Sequence, residues 1–150
     1  MIEKIESSIN SEIDSQKVLN WFKKNPPKSS KGSIEYLEAL MRNEIEFNKK
    51  KIISEIWIKK NLSATQQRYF IRKYSKYWTQ DDNWERFNRL MIEGKTFSAR
   101  KTLNRINGDL RKLGEARLGL SRRSPNVTQL INRVPSYLKN DPDLIYERMR

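Results

Sequence analysis

Apolar residues in this chain recur three or four apart, in short runs that a proline, a glycine or a polar cap cuts off within about fifteen residues. That spacing builds one face of an α-helix and does not suit a strand. Val18, Leu19 and Phe22 form the first run, stopped at Asn25 before Pro26 and Pro27. After a loop from Pro26 to Gly32 come Ile34, Leu37, Leu40 and Met41; after a break or solvated turn at Lys49, Lys50 and Lys51 come Ile52, Ile53, Ile56 and Trp57. Ser63 with Gln66, and Thr79 with Asp82, have the spacing of capping boxes. They open helices with the faces Tyr69, Phe70, Ile71, Tyr74 and Trp84, Phe87, Leu90, Met91, the second closed by Gly94. Ala99, Leu103 and Ile106 make a stripe ended by Gly108, and Leu110, Leu113, Ala116, Leu118 and Leu120 build the next, up to the Ser124-Pro125 turn. Val127, Leu130, Ile131 and Val134 stop at Pro135, and Asp141 with Pro142 caps a last helix that runs to Arg150 without a stop signal.

These are about nine helices, each too short to be stable alone, so they must stack. The expected class is all-α, with antiparallel helix pairs forming a tetratricopeptide-like α-superhelix. Trp84 to Ile106 reads as one such pair, with an aromatic anchor, a glycine at the turn and a small alanine at the crossing; no second copy repeats its residues. Residues 1–14 read as a polar, loosely ordered start that becomes helical toward Asp14, and residues 15–150 as the superhelical domain.

Composition narrows the chemistry. The chain has no cysteine, so disulfides, thiolate metal sites and cysteine nucleophiles are excluded. It has no histidine, the commonest general base and metal ligand. No cofactor is implied, no apolar run approaches the roughly 20 residues of a membrane span, and the amino terminus lacks the apolar core of a secretory signal, which reads as unexported. The formal net charge is +13, a field that attracts nucleic acid, anionic lipid or anionic cell-wall polymer alike.

Five features bear on a site. The five glycines read as standing singly at helix ends, so none builds a phosphate loop. Asp81, Asp82 and Glu85 could serve a paired-carboxylate glycosidase but fit the acidic first turn of a helix better. Basic and aromatic residues interleave at Arg68, Tyr69, Arg72, Lys73, Tyr74, Lys76, Tyr77 and Trp78, as on a nucleic-acid face, with a solvated helix rim as the plainer explanation. Arg122 and Arg123 sit together between helices. Arg68, Arg72, Lys73, Lys76, Trp78, Arg122 and Arg123 are therefore the candidate contacts for a glycan or polyanion. Of the tryptophans, which could line a sugar groove, Trp57 and Trp84 are expected in the core, and Trp21 and Trp78 half exposed near helix ends.

The order of segments in the second half resembles the soluble lytic murein transglycosylases of alphaproteobacteria. Their non-catalytic superhelical region shows an F-S-x-x-x-E-x-x-F-L-x-x-Y-type helix, W-x-R-x-x-x-L-L-x-x-G, an alanine-arginine helix, A-E-A-R-x-A-L and N-D-P-x-L-x-Y-E-R. The matching stretches are Leu62 to Tyr74, Trp84 to Gly94, Ser98 to Leu103, Gly114 to Leu120 and Asn140 to Arg148. The resemblance runs from about Val18 to Arg150 and is specific after Asn61. It implies a scaffold or peptidoglycan-holding segment beside a catalytic domain, in the periplasm, with peptidoglycan bound weakly by electrostatics. The family's glutamate-serine pair and glycine-leucine-methionine-glutamine motif do not occur here, so no catalytic residue is carried over. Their absence, with that of a secretory signal, is expected of an internal segment, a split-gene product or a deliberately trimmed chain. The alternative is a freestanding basic helical protein that binds nucleic acid.

Overall fold

The structure is a computed structural model and describes residues 2–9, 14–43 and 47–150. Its regular elements are α1 (Ile2–Ser8), α2 (Ser15–Lys24), α3 (Ser30–Arg42), α4 (Lys49–Lys59), α5 (Ala64–Tyr74), α6 (Gln80–Ile92), α7 (Thr96–Leu103), α8 (Gly108–Ser121), α9 (Val127–Arg133) and α10 (Pro142–Met149). Two 3-10 turns, Ser75–Tyr77 and Ser136–Leu138, complete them, and no strand occurs among the described residues. The chain is all-α. It folds as two compact units, Met1–Trp78 and Thr79–Arg150.

Caps explain the boundaries. Both capping boxes form, Ser63 with Gln66 and Thr79 with Asp82, and the Asp141 carboxylate accepts from the amides of Asp143 and Leu144 with Pro142 at the first helical position. Two boundaries differ from the sequence reading for the same reason. The Ser29 hydroxyl accepts from the Gly32 amide, so residues 30–32 are the first turn of α3 and not loop. The Asn48 side chain accepts from the Lys51 amide, so Lys49, Lys50 and Lys51 open α4 and do not break the chain.

In the first unit α3 packs against α1, α2 and α4. Where a loosely ordered start is expected, α1 forms with Glu6 buried, and Ile9, just after it, is buried as well; the expected helical turn toward Asp14 falls on residues 10–13, outside the described residues. The Glu6 carboxylate accepts from the amides of Lys28 (2.8 Å) and Ser29 (2.7 Å) and from the Ser29 hydroxyl. A carboxylate against the start of α3 satisfies amides that the helix leaves open and complements its dipole. Burial pushes the Glu6 carboxyl upward, but these hydrogen bonds outweigh it and hold the group below its ordinary 4.5. A carboxyl with a lowered folded pKa adds stability that is fully present above the unfolded value and is lost as pH falls through the folded value. The wild type should therefore lose thermal stability as pH falls below about 4.5, while Glu6→Gln, about 2 kcal/mol less stable at neutral pH, should show much less of that acid dependence.

The core of this unit has two parts. One gathers Val18, Leu19, Phe22, Ala39 and Leu40; the other gathers Leu37, Ile53, Trp57, Phe70, Tyr74 and Trp78. In the second part Trp78 stacks on Trp57 (4.3 Å between ring centres, 7° between planes) and on Phe70 (5.7 Å, 13°).

In the second unit α6 and α7 form a helical hairpin through Glu93, Gly94 and Lys95. Gly94 has φ +74°, the left-handed position at which a helix end favours glycine; the Lys95 amide bonds back to Leu90 and the Gly94 amide to Met91. Gly108 also has positive φ (+69°), but it opens α8 and does not end α7. Two further glycines correct the expectation that all stand at helix ends. Gly114 and Gly119 lie inside α8, and a Cβ at Gly114 would meet Leu103 and come within 3.3 Å of Trp84 and 3.4 Å of Phe87. At Gly119 it would come within 2.6 Å of Leu130. Both mark close helix crossings, which is why helical positions carry a residue about 1 kcal/mol less suited to a helix than alanine.

Candidate polyanion-contact surfaces

The candidate residues divide between the two units. Arg68 and Arg72 stand one turn apart on the exposed face of α5, and Lys76 is exposed in the following 3-10 turn, its ammonium 5.3 Å from the Tyr77 ring centre. These three present positive charge to solvent. Lys73, next to them in sequence, is already engaged. Its ammonium donates to Glu38 at 2.8 Å and to the Tyr69 hydroxyl at 3.0 Å, and the Tyr69 hydroxyl lies 2.9 Å from both Glu38 oxygens. Burial alone would lower the Lys73 ammonium, but the bonds to Glu38 and Tyr69 carry it above the ordinary lysine range. Lys73 is thus a structural tie between α5 and α3.

Trp78 is the clearest correction. It is 8% exposed and its ring faces meet Trp57 and Phe70, so no face is left for a sugar or a base. Trp57 is fully buried as expected, whereas Trp84 and Trp21 are only partly so. Trp84 packs on the core of the second unit and stacks on Phe87, and Trp21 packs against the core of the first.

The same part of the first unit contains a recess in which two carboxylates, Glu35 and Glu38, face two cations, Lys31 and Arg42. A cleft of about 400 Å³ between α3 and α5 has Glu35, Glu38, Arg42 and Tyr69 in its walls. Burial, and next to it the neighbouring Glu38, hold the Glu35 carboxyl above its ordinary value. No local pattern in the sequence marks this recess: the partners of Glu38 on α5, Tyr69 and Lys73, lie 31 and 35 positions along the chain.

In the second unit Arg122 caps the end of α8 and Arg123 follows it, both exposed. Arg123 has φ 54°, the left-handed region. Its amide bonds to Leu120 and the Ser124 amide bonds to Gly119, the pattern that closes α6 with Gly94 at the equivalent place. An arginine here carries a backbone penalty that glycine would escape. Arg123→Gly should therefore raise the stability of the chain by about 0.5–1 kcal/mol in denaturant titration, even though it deletes a side chain.

Two arginines of this unit were not foreseen. Arg86 and Arg117 are each 2% exposed. Burial, with Arg89 adding to it, pushes the Arg86 guanidinium down to about 10; burial lowers Arg117 as well, against the pull of Asp143, Asp141 and Glu147. Arg117 donates to Asn88, and its guanidinium carbon stands 5.6 Å from the Trp84 ring centre and 5.3 Å from that of Phe87. The signal in the sequence is a charge set inside the apolar run Ala116-Arg117-Leu118, at a spacing that puts it on the inward face.

Of the acidic residues near the start of α6, Asp82 acts as a cap and Asp81 lies in the first turn. Asp82 accepts from the Thr79 amide at 2.8 Å, and Asp81 and Glu85 are exposed. Among the described residues no group of three or more acidic side chains is placed to hold a metal ion, and no helix is long and apolar enough to cross a membrane. Compared with known protein families, with curated proteins and with solved structures, the chain matches none.

Proposed function

We propose that this chain is a non-catalytic helical scaffold that holds an anionic cell-wall polymer, peptidoglycan, for a lytic transglycosylase catalytic domain in the periplasm. The stack of short helices would be a stretch of tetratricopeptide-like superhelix, and the exposed arginines its contacts with the peptide carboxylates of the polymer. Three things support the reading. The segments from Leu62 onward resemble the non-catalytic region of that family. The chain has no histidine or cysteine, and of its conspicuous carboxylates Asp82 closes a capping box and Asp81 lies in the same first helical turn. The net charge of +13 gives the attraction a source.

The observation that carries the proposal most is Arg123. It holds a conformation for which its own unit uses glycine at the matching helix end, and it is exposed beside Arg122. A strained position kept by a charged, solvent-facing side chain is better explained by what that side chain touches than by folding. The test is binding to purified sacculi, with products analysed in the same tubes. The wild type should pellet with sacculi and release no anhydromuropeptides. The Arg122→Ser/Arg123→Gly double variant, folded and at least as stable, should bind about tenfold more weakly, as expected for two lost surface charges against a polyanion at low salt. Equal binding by the variant would remove these arginines from the contact, and released product would make the chain an enzyme.

A further inference from the structure

The cavity beside Arg117 offers a second kind of site, and it does not rest on the polyanion reading. Arg117 carries five N–H donors, and the protein uses few of them. Asn88 accepts one; Asp143 stands 3.9 Å from Nη2, an ion pair too long for a hydrogen bond; Nε has no acceptor at all although it is buried. A buried charged group with open donors is costly, and such a group in a native fold needs a reason. Arg117 lines a recess of about 260 Å³ walled by α6, α8 and α10. That is below the roughly 300–1,000 Å³ of pockets that bury a drug-sized molecule, and it suits a group of single-residue size.

The other walls define what would fit. Met91, Ile92 and Tyr146 give an apolar side, with Ile92 81% and Tyr146 61% exposed. Asp143, Glu147 and Arg150 complete the lining, and Arg150 reaches Glu147 at only 3.5 Å. A simple anion would meet Arg117 but also two carboxylates. A simple cation would meet those carboxylates but also two guanidinium groups. A ligand with both charges a few ångströms apart matches each side.

We propose that this recess binds an α-amino acid, or the zwitterionic end of a ligand built from one, with an apolar side chain. Its carboxylate takes the Nη2 donors of Arg117, next to the enclosed Nε that reports on them, its ammonium turns to Asp143 and Glu147, and its side chain lies against Met91, Ile92 and Tyr146. The probes are L-leucine, D-leucine, leucinamide and N-acetylleucine, titrated into the full nitrogen-15-labelled chain while the arginine Nε–H signals are followed. One leucine enantiomer should shift the Arg117 Nε–H saturably. Leucinamide, lacking the carboxylate, and N-acetylleucine, lacking the ammonium, should each bind at least about tenfold more weakly, the loss expected for one charge-assisted pair. Asp143→Asn, at an exposed side chain, should weaken leucine binding but leave N-acetylleucine where it was. Equal affinity for all four probes would overturn the proposal. So would an Arg117 signal that none of them moves while the spectrum stays native, or an Asp143→Asn variant that binds leucine as tightly as the wild type.

Discussion

Trp78→Ala should destabilise the first unit by about 3–5 kcal/mol, a large part of what a domain of this size has to lose. The ring is 8% exposed and lies between Trp57 and Phe70, so its removal leaves a cavity lined by two aromatic faces that α4 and α5 cannot easily close. Trp78→Phe should retain more than half of the lost stability, because a smaller ring still fills the stack. Chemical denaturation followed by far-ultraviolet circular dichroism measures both. A ring that served a ligand would behave in the opposite way: Trp78→Ala would unfold like the wild type and lose only binding.

Gly114→Val should cost the second unit about 3 kcal/mol or more. The Cβ alone would meet Leu103 and press on Trp84 and Phe87, and a β-branched side chain adds two further carbons at a crossing where α8 already touches α6 and α7. Gly94→Ala separates this steric cause from a conformational one. Nothing lies within 4 Å of a Cβ at Gly94, so that variant should lose only about 1–2 kcal/mol, through its left-handed φ of +74°. If the two variants lost the same amount in thermal unfolding, close packing at Gly114 would not be the reason for its glycine.

The helices were legible because their ends are written locally. Ser63 with Gln66, Thr79 with Asp82, Asp141 with Pro142, and Gly94 are caps whose hydrogen bonds close within one turn, and each forms where the spacing puts it. What was not legible depends on distant parts of the chain. The first helix is fastened by a charged residue, Glu6, whose acceptors' partners come 22 and 23 positions later, so a polar stretch read as loose. Gly114 serves a crossing with Leu103 and Trp84 that no local pattern encodes.

The candidate site divides in the same way. Arg68, Arg72, Lys76, Arg122 and Arg123 are exposed, as helix rims and helix ends should be. Lys73 carries the same local signature but bonds to Glu38, 35 positions away, and Trp78 ends its helix only to turn back onto Trp57. Alternation of basic and aromatic residues cannot distinguish a ring that faces solvent from one that closes a core. Arg117 left a trace, a charge on an apolar face, whereas the recess around it is made by α10, which joins only when the unit folds.

The measurement that bears most directly on the proposed function is co-sedimentation of the full chain with purified sacculi as salt rises from about 50 to 500 mM, with duplex DNA as a competitor at fixed salt. We expect most of the chain to pellet at low salt, the bound fraction to fall steadily as salt screens the arginines, and sacculi to retain the chain against DNA of equal charge concentration. No binding at low salt, binding that salt leaves unchanged, or complete transfer of the chain to DNA would contradict it.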